Sequence, residues 1–159
     1  MYKNYYEKIS EPLRNKIEFI YIVNKLLTTI GYISYPILLL CTWFIKKELL
    51  LPMILIPGSG FVLLTFVRKA INRQRPYESY YIDPIIKKDT KGNSMPSRHV
   101  FSMSIIAVSW FVLFPFVGSI LFCISLLLAC IRVIGGVHYI SDVVVAIVCA
   151  CVWGMLYLI

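Results

Sequence analysis

His99 and His138 are the two histidines of a chain of 159 residues, and each has neighbours that could put an imidazole to use. His138 and Asp142 are four positions apart, a spacing that on a helix puts both on one face. A carboxylate that accepts one ring N–H fixes the tautomer and leaves the other nitrogen free, which makes an oriented base or nucleophile. Ser141 has the character of a helix N-cap, and an acid in the first turn is favoured by the helix dipole. A plain structural hydrogen bond at a helix start is the other use of the same pair. His99 closes the stretch Pro96-Ser97-Arg98-His99. Ser97 is expected to cap the helix that follows, and its hydroxyl with the first free N–H groups makes an anion site. His99, protonated, can give a proton to a leaving oxygen; neutral, it can cap a helix.

Arg68, Arg75 and Arg132 supply the charge that such chemistry needs. Arginine binds phosphate oxygens in pairs and stays charged. Arg132 ends an apolar run where nothing else calls for it, and snorkelling to an interface is its alternative use. Lys87, Lys88 and Lys91 are expected to form a solvated loop face. Two histidines, an acid and three arginines fit phosphoryl transfer. One histidine attacks phosphorus, the arginines hold the equatorial oxygens, and the second histidine protonates the leaving group. Most of the stabilisation is then directed at charge on those oxygens. Carboxylates or paired histidines at metal-ligand spacing are missing, so neither a metal nor another cofactor is expected.

These residues have to be positioned by membrane helices. The chain is 59% hydrophobic and 15% charged, with a mean hydropathy of +0.77, whereas soluble domains are about 45–50% apolar and about a quarter charged. The expected fold is all-α, a polytopic bundle of about five transmembrane helices in one domain, 1–159. The spans are placed at Leu26–Ile45, Leu49–Val67, His99–Phe114, Phe116–Val133 and Asp142–Ile159. Residues 1–25 are an interfacial segment in which Leu13–Lys25 forms an amphipathic surface helix or, alternatively, an extra span. The first residues, Met1 to Lys16, hold no apolar core, so no cleavable signal peptide is expected. "PGSG" (57–60) lies mid-span and is taken as a kink or a close-packing site. Residues 68–98 are one long polar loop. The five cysteines all lie in apolar runs and are expected to act as small buried hydrophobes. The net charge of +8 points to anionic lipid headgroups rather than nucleic acid, for which no motif is present.

Alternation of the spans decides which ends meet. The end of the second, the start of the third, the end of the fourth and the start of the fifth share one side. Arg68 to Arg75, Ser97 to His99, Arg132, and His138 with Asp142 therefore converge on one membrane face.

Three motifs carry a resemblance. "RKAINRQRP" (68–76), "PSRH" (96–99) and "IRVIGGVHYISD" (131–142) resemble the KxxxxxxRP, PSGH and SRxxxxxHxxxD motifs of the type 2 phosphatidic acid phosphatase superfamily, which includes membrane lipid phosphatases. The resemblance implies that His138 is the nucleophile that forms a phosphohistidine, that Asp142 orients it and that His99 protonates the leaving group. It also implies that Arg75, Arg132 and Ser97 bind phosphate with backbone N–H groups near Arg98 and His99, and that no metal takes part. Three positions depart from the pattern. Arg68 stands for lysine, which keeps the charge but changes the donor geometry. Ile131 stands for serine. Arg98 stands for glycine, where it either crowds the site or reaches a second phosphate.

The expected activity is hydrolysis of a lipid phosphate or diphosphate, of the polyprenyl diphosphate, phosphatidylglycerol phosphate or phosphatidic acid type. A phosphotransferase that passes the phosphohistidine to a lipid or sugar acceptor, and a non-catalytic binder of anionic lipid, are the alternatives. The substrate is expected to come from within the bilayer. The oligomeric state is not legible. Loop charge would put the active face in the cytoplasm, yet by the resemblance bacterial relatives that act on polyprenyl diphosphate face outward. An outward-facing site in the plasma membrane is the expectation.

Overall fold

The structure, a computed structural model, describes residues 2–159; Met1, where the polar N-terminal stretch begins, lies outside them. Helix α1 (Tyr2–Ser10) is followed by a 3-10 turn over Glu11–Lys16 and then by α2 (Ile17–Ile45), α3 (Leu50–Ile71) and the short α4 (Pro76–Ser79). Next come α5 (Arg98–Leu113), α6 (Pro115–Ile134) and α7 (Ile140–Gly154), which ends in a 3-10 turn over Met155–Leu158. No strand occurs among the described residues. The five apolar helices α2, α3, α5, α6 and α7 build an all-α membrane bundle. Four helical stretches, Tyr2–Ile45, Lys47–Ser79, Pro115–Ile134 and Ile140–Leu158, are long and apolar enough to span.

The shorter apolar helix is α5, and it sits at the centre. It packs on α6, α7, α3 and α2 and buries Val100, Phe101, Met103, Ile105, Ala107 and Trp110. A helix enclosed by protein does not have to match the bilayer thickness by itself. Its neighbours carry the lipid-facing surface, with Phe44, Phe116 and Val148 exposed on α2, α6 and α7. Polar pairs tie the helices together where no water competes. Ser104 and Ser125 join α5 to α6 at 2.7 Å, Trp110 Nε1 donates to Ser34 O at 3.1 Å, and Trp153 Nε1 donates to Ile56 O at 3.0 Å.

The helix ends follow local sequence. Asn72 adopts a left-handed conformation (φ 41°) and its N–H closes on Arg68 O, which stops α3. Pro115 opens α6 at the position where a missing N–H costs nothing. The "PGSG" stretch leaves α3 unbroken, and a Cβ on Gly60 would come within 2.7 Å of Trp153 and 2.9 Å of Phe101. Close packing is therefore its role.

Two expectations need correction. Leu13–Lys25 is not one surface helix: Pro12 lies in the 3-10 turn, and Ile17–Lys25 are the first turns of α2. Neither Pro nor Gly occurs between Ile17 and Ile30, so the helix, once started, continues into the apolar run. The 29 residues of α2 span about 44 Å at ~1.5 Å per residue, more than a hydrocarbon core of about 30 Å. The stretch 68–98 is not one unstructured loop either. Arg68 belongs to α3, Arg98 begins α5, and the segment between them contains α4 and buries Ile82, Ile85 and Ile86.

Candidate active site

The ends of α3, α5, α6 and α7 meet on one side of the bundle, with the polar segment folded over them. Ile85, Ile86 and Val137 pack with Ile20 into a small core of their own. Three successive N–H groups of the segment are then anchored to three different places. Ile85 N donates to Tyr6 Oη (3.1 Å), Ile86 N to Gly135 O (3.0 Å) and Lys87 N to Tyr21 Oη (2.7 Å). Gly135 leaves room for this docking: a Cβ there would lie 2.5 Å from the tip of the Ile86 side chain and 2.9 Å from Ile131 O. Arg14 adds an ion pair to Asp83 at 2.8 Å.

His138 and Asp142 come together in a way the four-residue spacing did not anticipate. His138 precedes α7, whose N-cap is Tyr139 rather than Ser141. Asp142, at the third helical position, accepts the Tyr139 N–H through Oδ2 at 3.0 Å and holds His138 Nδ1 on the same oxygen at 3.4 Å. The pair therefore meets across a helix start and not along a helix face. With Nδ1–H directed at the carboxylate, Nε2 keeps its lone pair. Burial pushes the His138 imidazole down to about 4; the Asp142 bond opposes this and the charges of Arg132 and Arg75 add to it. His138 is thus a neutral, oriented nitrogen at ordinary pH.

Asp142 has further partners. Ser94 Oγ donates to Oδ2, and Arg73 Nη1 donates to Oδ1 at 2.8 Å. Arg73 also donates to Ser141 Oγ at 2.7 Å and lies over the Tyr139 ring, 4.0 Å from its centroid. Neither Arg73 nor Ser94 stood out in the sequence. Arg73 is one of several loop cations there, and no spacing marks it as the partner of a residue 69 positions away.

The expected phosphate-binding residues arrive from separate elements. Arg75, buried before α4, donates through Nε to Gly92 O at 3.1 Å and through Nη1 to Val137 O at 3.3 Å. Arg68 donates to the carbonyls of Pro96 and Asn93. Arg132, buried at the end of α6, donates to Asn24 Oδ1 and to His99 Nδ1, both at 3.2 Å. The acceptors are neutral, so the three guanidinium charges remain uncompensated. The Arg132 bond at Nδ1 assigns the His99 ring proton to Nε2. Asn24 is a third residue that did not stand out in the sequence, as a polar residue in a stretch with an interfacial pattern.

Ser97 occupies the N-cap position of α5, but its hydroxyl makes no capping bond, contrary to expectation. Its N–H instead donates to Asp142 O at 2.9 Å, which ties the start of α5 to the start of α7. Ser97 Oγ and Arg132 Nε are both buried without a partner among the described residues. An anion with several acceptor oxygens satisfies both. Arg98 is exposed and its guanidinium lies over the Phe61 ring, 5.6 Å from the centroid. Lys87 and Lys91 are exposed as expected, but Lys88 is half-buried. Partial burial and the charges of Arg132, Arg75, Arg98 and Arg68 push its ammonium down to about 8. Lys88 therefore does not belong to a solvated face. Among the described residues no three His, Cys, Asp or Glu side chains gather as a metal site.

A cavity of 230 Å³ opens beside His99 and Arg98, lined also by Thr28, Tyr32, Phe61 and Ser102. An apolar cavity of 310 Å³ shares Tyr32, Phe61 and Ser102 with it and extends toward Pro36 and Pro57. Together they form a groove between α2, α3 and α5 that leads from the site into the apolar zone.

Two solved structures share this architecture. LpxE of Aquifex aeolicus superposes with a TM-score of 0.75 at 22% identity, covering 98% of this chain and 93% of that one. The first transmembrane PAP2 type phosphatidylglycerolphosphate phosphatase from Bacillus subtilis gives 0.63 at 21% identity, covering 98% and 94%. No curated protein matches by sequence. The PAP2 superfamily matches residues 49–159, more than half of the chain and all of the stretch that carries Arg68 through Asp142. On that match, the chain belongs to the PAP2 superfamily.

Proposed function

We propose that this protein is a membrane lipid phosphatase that works through a phosphohistidine on His138 and needs no metal. The observation that carries the reading is a pair of buried groups without partners, Arg132 Nε–H and Ser97 Oγ, with Arg132 bonded to His99 and the Ser97 N–H bonded to the backbone of Asp142, which holds His138. A phosphate held by Arg132, Arg75 and Ser97 presents phosphorus to His138 Nε2. The N–P bond forms as the bond to the lipid oxygen breaks. Once Arg132 has turned its N–H from His99 Nδ1 to the phosphate and the ring has taken a second proton there, His99 gives that oxygen a proton from Nε2. In the second half His99 takes a proton from water, the water oxygen bonds to phosphorus, and the N–P bond breaks to release phosphate. Asp142 holds the His138 tautomer throughout, and the guanidinium groups meet the charge on the equatorial oxygens. The structural relatives support the reading by their fold, and the Bacillus subtilis protein, a phosphatidylglycerolphosphate phosphatase, points to lipid phosphates as the substrate class.

The substrate's tail would lie in the groove between α2, α3 and α5. We propose an outward-facing site in the plasma membrane. Loop charge argues the other way, but Arg68, Arg75, Arg73 and Arg14 are all held by carbonyls or carboxylates. Those cations serve the site, so their number is a weak guide to topology. The test is phosphate release by detergent-solubilised protein in EDTA, on a polyprenyl diphosphate, phosphatidylglycerol phosphate and phosphatidic acid, beside His138→Ala. Release from at least one lipid that disappears in the variant supports the reading; no release by folded wild type, or release that survives in His138→Ala, overturns it.

A further inference from the structure

Helix α1 holds none of the groups that act on phosphorus, and it lies outside residues 49–159, the stretch matched by the PAP2 superfamily. It nevertheless reaches the turn between α6 and α7 that carries His138. Two tyrosines four positions apart, and so on one face of α1, make the contacts. Tyr6 is buried, and the tip of its ring covers Gly136: a Cβ on Gly136 would lie 2.7 Å from Tyr6 Oη and 2.9 Å from Cζ. The same Oη accepts the Ile85 N–H at 3.1 Å, which fixes the ring over the turn. Gly136 has a φ of 74°, so both the left-handed backbone and the missing Cβ of glycine are used there. Tyr2 packs on the far end of the turn. Its ring meets that of Tyr139 edge-on at 5.2 Å and stacks on Tyr80 at 4.8 Å, and Tyr80 meets Tyr139 at 6.4 Å. His138 lies between the two contacts, two residues after Gly136 and one before Tyr139.

Tyr139 is the more consequential of the two supports. Its N–H is held by Asp142 Oδ2, the oxygen that also faces His138 Nδ1. Arg73 lies over its ring and holds the other oxygen of the same carboxylate. A displaced Tyr139 therefore moves the nucleophile and the groups that orient it together. Neither Tyr2 nor Tyr6 belongs to the apolar cores that hold the bundle's helices to one another, so packing of the bundle does not account for them. We propose that α1 is a clamp on the nucleophile's turn, in which Tyr2 and Tyr6 are positioning residues that hold His138 in line for attack from its two sides. The inference rests on the phosphatase reading above and extends it to a helix that carries none of the motifs. Both tyrosines act through the turn and leave the substrate untouched.

The chain has two histidines, so protein labelled with 15N in its imidazoles gives ring signals from His99 and His138 alone, and His138→Ala assigns them. In detergent, Tyr2→Ala and Tyr6→Ala should shift the His138 signals. They should also raise the pH at which this ring titrates from about 4 toward the ordinary value, because a loosened turn admits water to it. Asp142, Arg132, Arg75 and His99, the charged and titratable groups around the ring, are all retained in these variants. On a lipid phosphate, kcat/KM should fall about 10-fold or more, with its acid limb displaced in the same direction. Tyr2→Phe keeps the ring and should restore both readouts. Asn4→Ala, on the exposed side of α1, should change neither. Tyr2 is only half-buried, so Tyr2→Ala decides the matter even where Tyr6→Ala fails to fold. A lower Tm for Tyr2→Ala with unchanged His138 signals and an unchanged acid limb would overturn the clamp. Shifted His138 signals in a protein whose wild type releases no phosphate would support the clamp and count against the phosphatase reading alone.

Discussion

Arg73 Nη1 lies 2.8 Å from Asp142 Oδ1 while His138 Nδ1 faces Oδ2 of the same carboxylate. One acid is thus shared between a cation of the polar segment and the imidazole that would attack phosphorus. The two demands differ. A carboxylate held by a guanidinium is fixed in orientation, and it gives up less of its charge to the ring.

Arg73→Gln should therefore act on the chemical step. With the guanidinium gone, Asp142 keeps Ser94 and the Tyr139 N–H but loses its lateral support. A fall in kcat of about 10-fold or more with a smaller change in KM is expected, as for loss of a positioning contact. Steady-state kinetics on a lipid phosphate check this, and Arg73→Lys should recover part of the rate. A change confined to KM would assign Arg73 to substrate binding instead.

The pH dependence follows from His138. The ring is held down to about 4 by burial, and the neutral form is the nucleophile. Its contribution to kcat/KM should be complete near neutrality and disappear only as pH falls toward 4, rather than at the ordinary value of about 6.5. The same depression links to stability: a histidine that stays neutral when folded but protonates when unfolded stabilises the fold above about 6.5, and that contribution is lost as pH falls through 4. A pH–rate profile on a slow substrate and a thermal melt series between pH 4 and 7 test the two halves. His138→Ala should flatten the second.

Asn24 holds Arg132 at 3.2 Å from outside the motif positions. Asn24→Leu should leave the guanidinium charged but less well placed. An increase in KM of roughly 10-fold or more, with kcat less affected, is the expected result for a hydrogen bond to a charged group worth about 1.5–3 kcal/mol. A larger loss in kcat than in KM would mean that Asn24 also fixes His99 through Arg132.

Gly118 should be intolerant for a reason unrelated to chemistry. A Cβ there would lie 2.5 Å from the backbone of Phe111, where α6 begins beside α5. Backbone cannot give way as a side chain can. Gly118→Val should destabilise by at least about 1–3 kcal/mol, seen as a lower Tm in detergent, whereas Gly58→Ala, with open space around its Cβ position, should cost far less.

The bundle and the meeting of its helix ends were legible because long apolar runs separated by charge fix both the spans and their alternation. Arg68, Arg75, Ser97, His99, Arg132, His138 and Asp142 could be singled out because chemistry restricts their types. The helix starts were less legible. Ser141 looks like the better N-cap than Tyr139, yet Asp142 does the capping itself by accepting the Tyr139 N–H, and no propensity encodes that choice. Arg73, Ser94, Asn24 and Lys88 were not legible at all. Each acquires its neighbour through the path of the polar segment or the unexpected length of α2, and local sequence carries no trace of contacts made 48 to 108 positions away.

The segment that presents Lys88 is held like a bridge deck on separate piers. Tyr6 belongs to α1, Tyr21 to α2 and Gly135 to the turn after α6, so no one helix carries the load. Two of the three supports lie within the first 21 residues, in a region with none of the reacting groups. A shift of α1 or of the upper turns of α2, from a change in bilayer thickness or in headgroup packing, would be transmitted as a tilt of the deck over the histidines.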